Sequence, residues 1–239
     1  MEYIRGKTSA EIDADRLAAS VAGYGDVLID VGTGDGRYVL HVARTSPTWF
    51  AIGVDACRDN LRKASRKAPP NALYVMANAL ALPKELGGMA SKVTINFPWG
   101  SLLKGLLDGE PMLLEGLLVL ARPGAELKMR LNAGALTEAG YTLESGGAQI
   151  RRALHEVGFE AVGDLRRLDA RELRRCPTTW AKRLAYGRAP RAVCVRATLT
   201  ADAEAKEPAG YAERPLHEVL NGHQHSETTH TLSQGSASC

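Results

Sequence analysis

Three kinds of chemistry are short of the residues they need. The four cysteines, Cys57, Cys176, Cys194 and Cys239, are widely scattered. No C-x-x-C and no Cys/His spacing suited to zinc occurs, so free thiols and no metal site are expected. No apolar run of about eighteen residues is present, so no transmembrane helix is expected. The opening stretch MEYIRGKTSAEIDADRL has charges where a signal peptide needs an apolar segment, and the expected location is the cytoplasm. Aromatics are scarce at 5% of 239 residues, with only three tryptophans, so the setting of each tryptophan is informative. No Ser-His-Asp set and no carboxylate pair at catalytic spacing stands out. Asp35 and Glu138 are the nearest candidates for a general base, and neither is assigned that role.

What is present suits one sizeable core. Apolar residues make up 45% of the chain, enough for a single domain with an appendage. The domain is expected over residues 1–200. Residues 201–239 are polar, interrupted by Pro and Gly, and hold four of the six histidines (His217, His223, His225, His230). They read as a disordered tail. Of the 30 Lys/Arg and 27 Asp/Glu, the tail holds two and six, a net of −4, which leaves +7 on residues 1–200. A basic body favours an anionic partner such as nucleic acid.

Short apolar runs alternate with helical patterns along the body. Strands are expected at Asp26–Val31, Trp49–Asp55, Ala72–Ala79, Ser91–Phe97, Ala125–Ala133, within "FEAVGDLRRLD", and at Ala192–Leu199. Helices are expected at Arg37–Thr45, Arg58–Ala68, Met112–Ala121 and Gly147–Val157, with a short one in "TWAKRLAYG". This alternation predicts an α/β fold with a mostly parallel seven-stranded sheet and an antiparallel C-terminal strand.

The first strand runs into Asp30-Val31-Gly32-Thr33-Gly34-Asp35-Gly36. Glycines here permit positive φ and close approach of a ligand to the backbone, and a helix N-terminus follows with its free N–H groups. A dinucleotide fold would show G-x-G-x-x-G. The pattern here is D-x-G-x-G-x-G, and Asp30 would repel a pyrophosphate but accept hydrogen bonds from a cationic amino-acid group. Asp55 ends the next strand, where it can meet ribose hydroxyls. Together these suit S-adenosylmethionine better than NAD; a plain tight turn is the competing reading.

The fourth strand ends in Asn96-Phe97-Pro98-Trp99-Gly100. Strand ends at the carboxyl edge of an α/β sheet are where ligands bind. An aromatic there, with the local backbone fixed by proline, can stack on a flat substrate; it can also be an ordinary core ring. Trp180 stands in the connection before the last strand, among Arg171, Arg174, Arg175, Lys182, Arg183, Arg188 and Arg191. Two tryptophans at one rim could sandwich a base, at about 1–3 kcal/mol per stacked base. The basic face Arg58, Arg62, Lys63, Arg66, Lys67 could hold phosphates or simply be a solvated helix surface. Trp49, at a strand start, reads as structural.

With "DVGTGDGR", "GVDACRDNL", Leu82-Pro83, "NFPWGSLL" and "WAKRLAYGR" in place, roughly residues 1–200 resemble the aminoglycoside-resistance 16S rRNA (adenine-N1) methyltransferases of the kanamycin–apramycin type. The resemblance implies a class I S-adenosylmethionine-dependent methyltransferase fold (Rossmann-like). It implies methylation of adenine N1 in helix 44 of 16S rRNA on the 30S subunit, conferring aminoglycoside resistance, with a monomer as the simplest state. By position it implies cofactor contacts from Asp30, Gly32, Asp55, Ala79, Leu80, Asn96, Phe97, Pro98 and Thr178. It implies stacking of the target base by Trp99 and Trp180, both also among the cofactor contacts. rRNA contacts fall to Arg62, Lys63, Arg66, Lys67, Arg183 and Arg188. Leu80 stands where some relatives have an acid, so its contact must be apolar or through backbone, and Tyr38 replaces a short polar residue. A tRNA guanine-N7 methyltransferase is the alternative, since its strand end also carries an "FPxPW"-like stretch. The missing second proline and acidic residue speak against it. A binding module without catalysis is disfavoured by Asp30, Gly32 and Asp55.

Overall fold

The computed structural model describes residues 1–187 and 191–200. The tail expected after Thr200, and Arg188, lie outside the described residues. The chain begins with a hairpin, β1 (Glu2–Arg5) and β2 (Thr8–Glu11), turned at Gly6 (φ +64°). Helix α1 (Ala14–Val21) follows, N-capped by the Asp13 side chain. Then come β3 (Asp26–Val31), α2 (Arg37–Thr45), β4 (Trp49–Asp55), α3 (Arg58–Ser65) and β5 (Ala72–Met76). The second half starts with β6 (Ala90–Asn96), α4 (Gly100–Asp108), α5 (Pro111–Leu120) and β7 (Ala121–Asn132). It continues through α6 (Ala133–Glu138), α7 (Leu143–Glu156), β8 (Phe159–Ala161) and β9 (Arg166–Leu168). It closes with α8 (Ala170–Arg175), α9 (Thr179–Ala185) and β10 (Ala192–Leu199).

The strands join one sheet in the order β2-β1-β5-β4-β3-β6-β7-β10-β8, with β9 also pairing β10. The five central strands β5, β4, β3, β6 and β7 are mutually parallel. Strand β10 enters antiparallel to β7, from Ala192 opposite Asn132 to Thr198 opposite Glu126. Chain direction across the sheet reverses at β3, whose neighbours are β4 and β6, so a crevice opens at the carboxyl ends of β3 and β6.

Among the described residues ten strands stand where seven were expected. The seven-strand run β5 to β8 is there; the additions are the β1–β2 hairpin and β9. The hairpin carries no apolar run, and Ile4 is its one buried side chain. "FEAVGDLRRLD" is two short strands split at Gly163 (φ +69°), not one. Likewise 100–120 holds two helices, broken at Gly109 (φ +69°), where one was expected. Pro111 at the first turn of α5 costs no hydrogen bond there. Helices α1, α6 and α8 were not foreseen, and α3 stops at Ser65, short of Ala68.

The β3–β4–β6–β7 faces, α4, α5 and α7 share the main core. A second cluster joins α2 and α3 to the opposite face around Tyr74, with Trp49 packed at its margin. A third sets Phe97 against Leu168, Leu173, Cys176, Ala181, Ala185, Ala192 and Cys194. That cluster seats α8 and α9 over the carboxyl end of β6.

Candidate active site

A cavity of about 510 Å³ occupies the crevice between β3 and β6. Its floor is the glycine turn after β3. Gly32, Gly34 and Gly36 all have left-handed backbones (φ +68°, +56°, +68°). A Cβ on Gly36 would stand 2.5 Å from the Tyr74 ring and 2.8 Å from Ala64 Cβ, and one on Gly32 would push the Leu102 side-chain end aside from 2.5 Å, so with both backbones left-handed a larger residue is strained at either position. Gly34 faces open space, which leaves its backbone approachable by a ligand.

Asp55, at the end of β4, lines the cavity wall. Its Oδ2 accepts from the Gly34 N–H (2.7 Å); Oδ1 accepts from the Cys57 N–H (2.9 Å) and the Asn60 side chain (3.3 Å). The turn and the carboxylate thus fix each other. Ala79, Leu80, Asn96, Phe97, Pro98, Trp99, Thr178, Trp180 and Arg183 line the same cavity with Gly32. The Leu80 N–H donates to Asn78 Oδ1 (3.0 Å), and its partly buried side chain packs against the main core at the cavity edge. Thr178 is the N-cap of α9, its hydroxyl accepting from the Ala181 N–H (3.0 Å).

Asp30 departs from its expected place. It is buried under the cavity rather than lining it. Its Oδ1 accepts from Thr94 Oγ1 (2.6 Å) and Asn96 Nδ2 (2.8 Å), while Oδ2 has no partner. Burial raises its pKa from the ordinary 3.8 to about 6, against the hydrogen bonds from Thr94 and Asn96 and the charge of Arg130. Arg130 in turn donates to Asn96 Oδ1 and lies over the Tyr38 ring at 5.4 Å. Tyr38 therefore closes this buried network and is absent from the cavity wall.

The end of β6 is strained. Phe97 has φ +56°, the one non-glycine left-handed residue among those described, and it precedes a proline. Its N–H donates to Arg130 O (2.7 Å) and its ring is buried in the third core cluster. The kink turns Trp99 out to 42% exposure. Trp180, 41% exposed, lies against it with ring centroids 5.5 Å apart and planes within 9°. The two rings meet at one rim, but they stack on each other. A base between them adds one more stacking contact, so the rings must part by about one base thickness, about 3.5 Å.

The nearby acids are engaged or remote. Asp35 accepts from the Thr179 hydroxyl (2.5 Å) and pairs with Arg37 (3.2 Å). Glu138 lines a separate cavity on the other side of Trp99. Arg183 lies over the Trp180 ring at 5.3 Å. Arg62, Lys63, Arg66 and Lys67 lie outside the cavity, on and just after α3, with Arg62 paired to Asp59 (2.8 Å). Since α3 runs back from the carboxyl edge, Arg66 and Lys67 stand farther from the site than Arg62. Thr33, Asp35, Asn60, Ser101, Leu102 and Thr179 are also in the wall. Of these, only the turn residues had a signal in sequence; Asn60 and Thr179 are brought in by helix packing.

Comparison with known proteins points the same way. A family profile described as NpmA, 16S rRNA (adenine(1408)-N(1))-methyltransferase, matches residues 2–199. A protein of that name from Streptoalloteichus tenebrarius is 32% identical over 200 residues, covering 77% of this chain and 92% of the relative. One from Escherichia coli is 29% identical, covering 79% and 94%. The solved structure of 16S rRNA methyltransferase KamB superposes with a TM-score of 0.76 at 31% identity, covering 84% of this chain and all of that one. A tryptophan-to-alanine variant of the Catenulisporales acidiphilia enzyme, solved with its cosubstrate SAM, superposes at 0.73 with 26% identity, covering 88% and 99%. These relatives give the tRNA guanine-N7 reading no support. The chain belongs to the 16S rRNA (adenine(1408)-N(1))-methyltransferase family.

Proposed function

We propose that this protein transfers a methyl group from S-adenosylmethionine to N1 of adenine 1408 of 16S rRNA, within the 30S subunit, and so protects the ribosome from aminoglycosides. The carrying observation is one cavity that joins the left-handed glycine turn and Asp55 to the Trp99–Trp180 pair. Related solved structures are named antibiotic-resistance methyltransferase Kmr and aminoglycoside resistance methyltransferase NpmB1, which supports the resistance role.

The residues present fit the cofactor. The glycine turn admits a ligand against its backbone, Asp55 offers carboxylate oxygens for ribose hydroxyls, and Leu80 with Ala79 offers apolar surface for adenine. Asp30 lies beneath as a buried negative charge suited to a cationic amino-acid group. When bound, S-adenosylmethionine supplies an electrophilic methyl group on a sulfonium. Adenine N1 brings its own lone pair, so no general base is required, which agrees with the engagement of Asp30 and Asp35 and the remoteness of Glu138.

The chain's work is positioning. The target base must leave its stack. Trp99 and Trp180 then part and hold it between their faces, in line with the methyl group. Arg183 at the rim, with Arg62, Lys63, Arg66, Lys67 and Arg188, supplies phosphate contacts. The protein acts as a monomer docked on the subunit. Offering labelled cofactor with 30S subunits, free 16S rRNA or tRNA tests this. Incorporation into 30S alone is expected; labelling of tRNA would overturn it.

A further inference from the structure

One contact joins the cofactor turn to the helix that carries Trp180. Asp35 stands between left-handed Gly34 and Gly36, at the tip of the turn. Its Oδ2 accepts from Thr179 Oγ1 at 2.5 Å, across 144 residues of sequence. The Arg37 guanidinium, 3.2 Å away, holds the same carboxylate in place.

Helix α9 needs such a tie. It has seven residues, too short to be stable alone. Ala181 and Ala185 bury one side of it against the third core cluster, and both are small. At its N-terminus Thr178 satisfies the helix's own amide, leaving Thr179 to reach across to the turn. Trp180, the next residue, is half-exposed, with the Trp99 ring stacked on it and the Arg183 guanidinium over its face. The ring that must swing aside and close on a base is therefore hinged at a residue fastened to the methyl-donor site.

We propose that the Thr179–Asp35 hydrogen bond is a strut that sets the distance between Trp180 and the cofactor turn, making Thr179 and Asp35 positioning residues for methyl transfer. This rests on the base-holding role of Trp180. Thr179→Val keeps the shape and deletes the donor; Thr179→Ser keeps the hydroxyl. With 30S saturating, Thr179→Val is expected to lower kcat about 10- to 100-fold, the range a 1 Å misplacement gives. S-adenosylmethionine Kd by calorimetry is expected to stay within about threefold, and Thr179→Ser to restore kcat to within about threefold. Full kcat in Thr179→Val, failure of Thr179→Ser to rescue, or a loss confined to cofactor Kd would overturn the strut. Trp180→Ala, measured alongside, separates the two ideas. If it leaves kcat intact, the base-holding reading fails; if it impairs kcat while Thr179→Val does not, only the strut fails.

Discussion

Single residues divide here between holding the fold and holding the ligand, and Asp30 shows the conflict. Its folded pKa, about 6, exceeds its unfolded value near 3.8. The folded state therefore binds more protons between those values, and stability falls as pH rises through that window, then levels. The full penalty is about 3 kcal/mol. Denaturant unfolding of the unaltered protein should lose that much relative to Asp30→Asn between pH 4 and 7, while the variant binds S-adenosylmethionine more weakly. Parallel pH curves would contradict the burial account. Gly32 is a simpler case. Alanine there must adopt φ +68° and meet Leu102, so Gly32→Ala should abolish cofactor binding in calorimetry. The stacked tryptophans give a third. Trp99→Ala and Trp180→Ala should each cut 30S methylation about 5- to 150-fold, the equivalent of about 1–3 kcal/mol of lost stacking, with a smaller effect on cofactor Kd.

At the scale of elements, the strained end of β6 links core to site. Phe97 fills the cluster beneath α8 and α9. Phe97→Ala should lower stability by about 3–5 kcal/mol in urea unfolding, and should loosen α9 before the rest of the sheet, seen as faster amide exchange there. The strand–turn–helix units were legible because parallel strands buried on both faces read as plain apolar runs, as "DVLIDV" does. The hairpin and β9 were not. Each has three or four residues, mostly charged or polar, and owes its structure to pairing with a neighbour already in place. Helix α4 (Gly100–Asp108) was missed and only the helix at Met112–Ala121 expected, because "GSLLKGLLD" directly follows the strand end and is bounded by glycines at both ends. For the site, Gly32 and Asp55 could be placed from the chain alone, since their roles follow from strand ends. Asp30 could not, because which way its carboxylate turns depends on Thr94 and Asn96, more than sixty residues away. The closed contact of Trp99 with Trp180 was equally out of reach, since sequence shows two rings at one rim and not their spacing.

For the whole molecule, the charge of residues 1–200, +7 by count, matters through the ribosome. Lys63→Ala with Arg183→Ala should weaken 30S binding and flatten the plot of log affinity against log salt by about 2 units of slope. An unchanged slope would place the RNA elsewhere. The most direct measurement of the central claim is reverse transcription across helix 44 after treating 30S subunits with the protein and S-adenosylmethionine. Methyl on adenine N1 blocks Watson–Crick pairing, so a stop at adenine 1408 is expected, present with the cofactor and lost in Trp99→Ala/Trp180→Ala. Methyl incorporation into 16S rRNA with full read-through at that adenine would contradict the account.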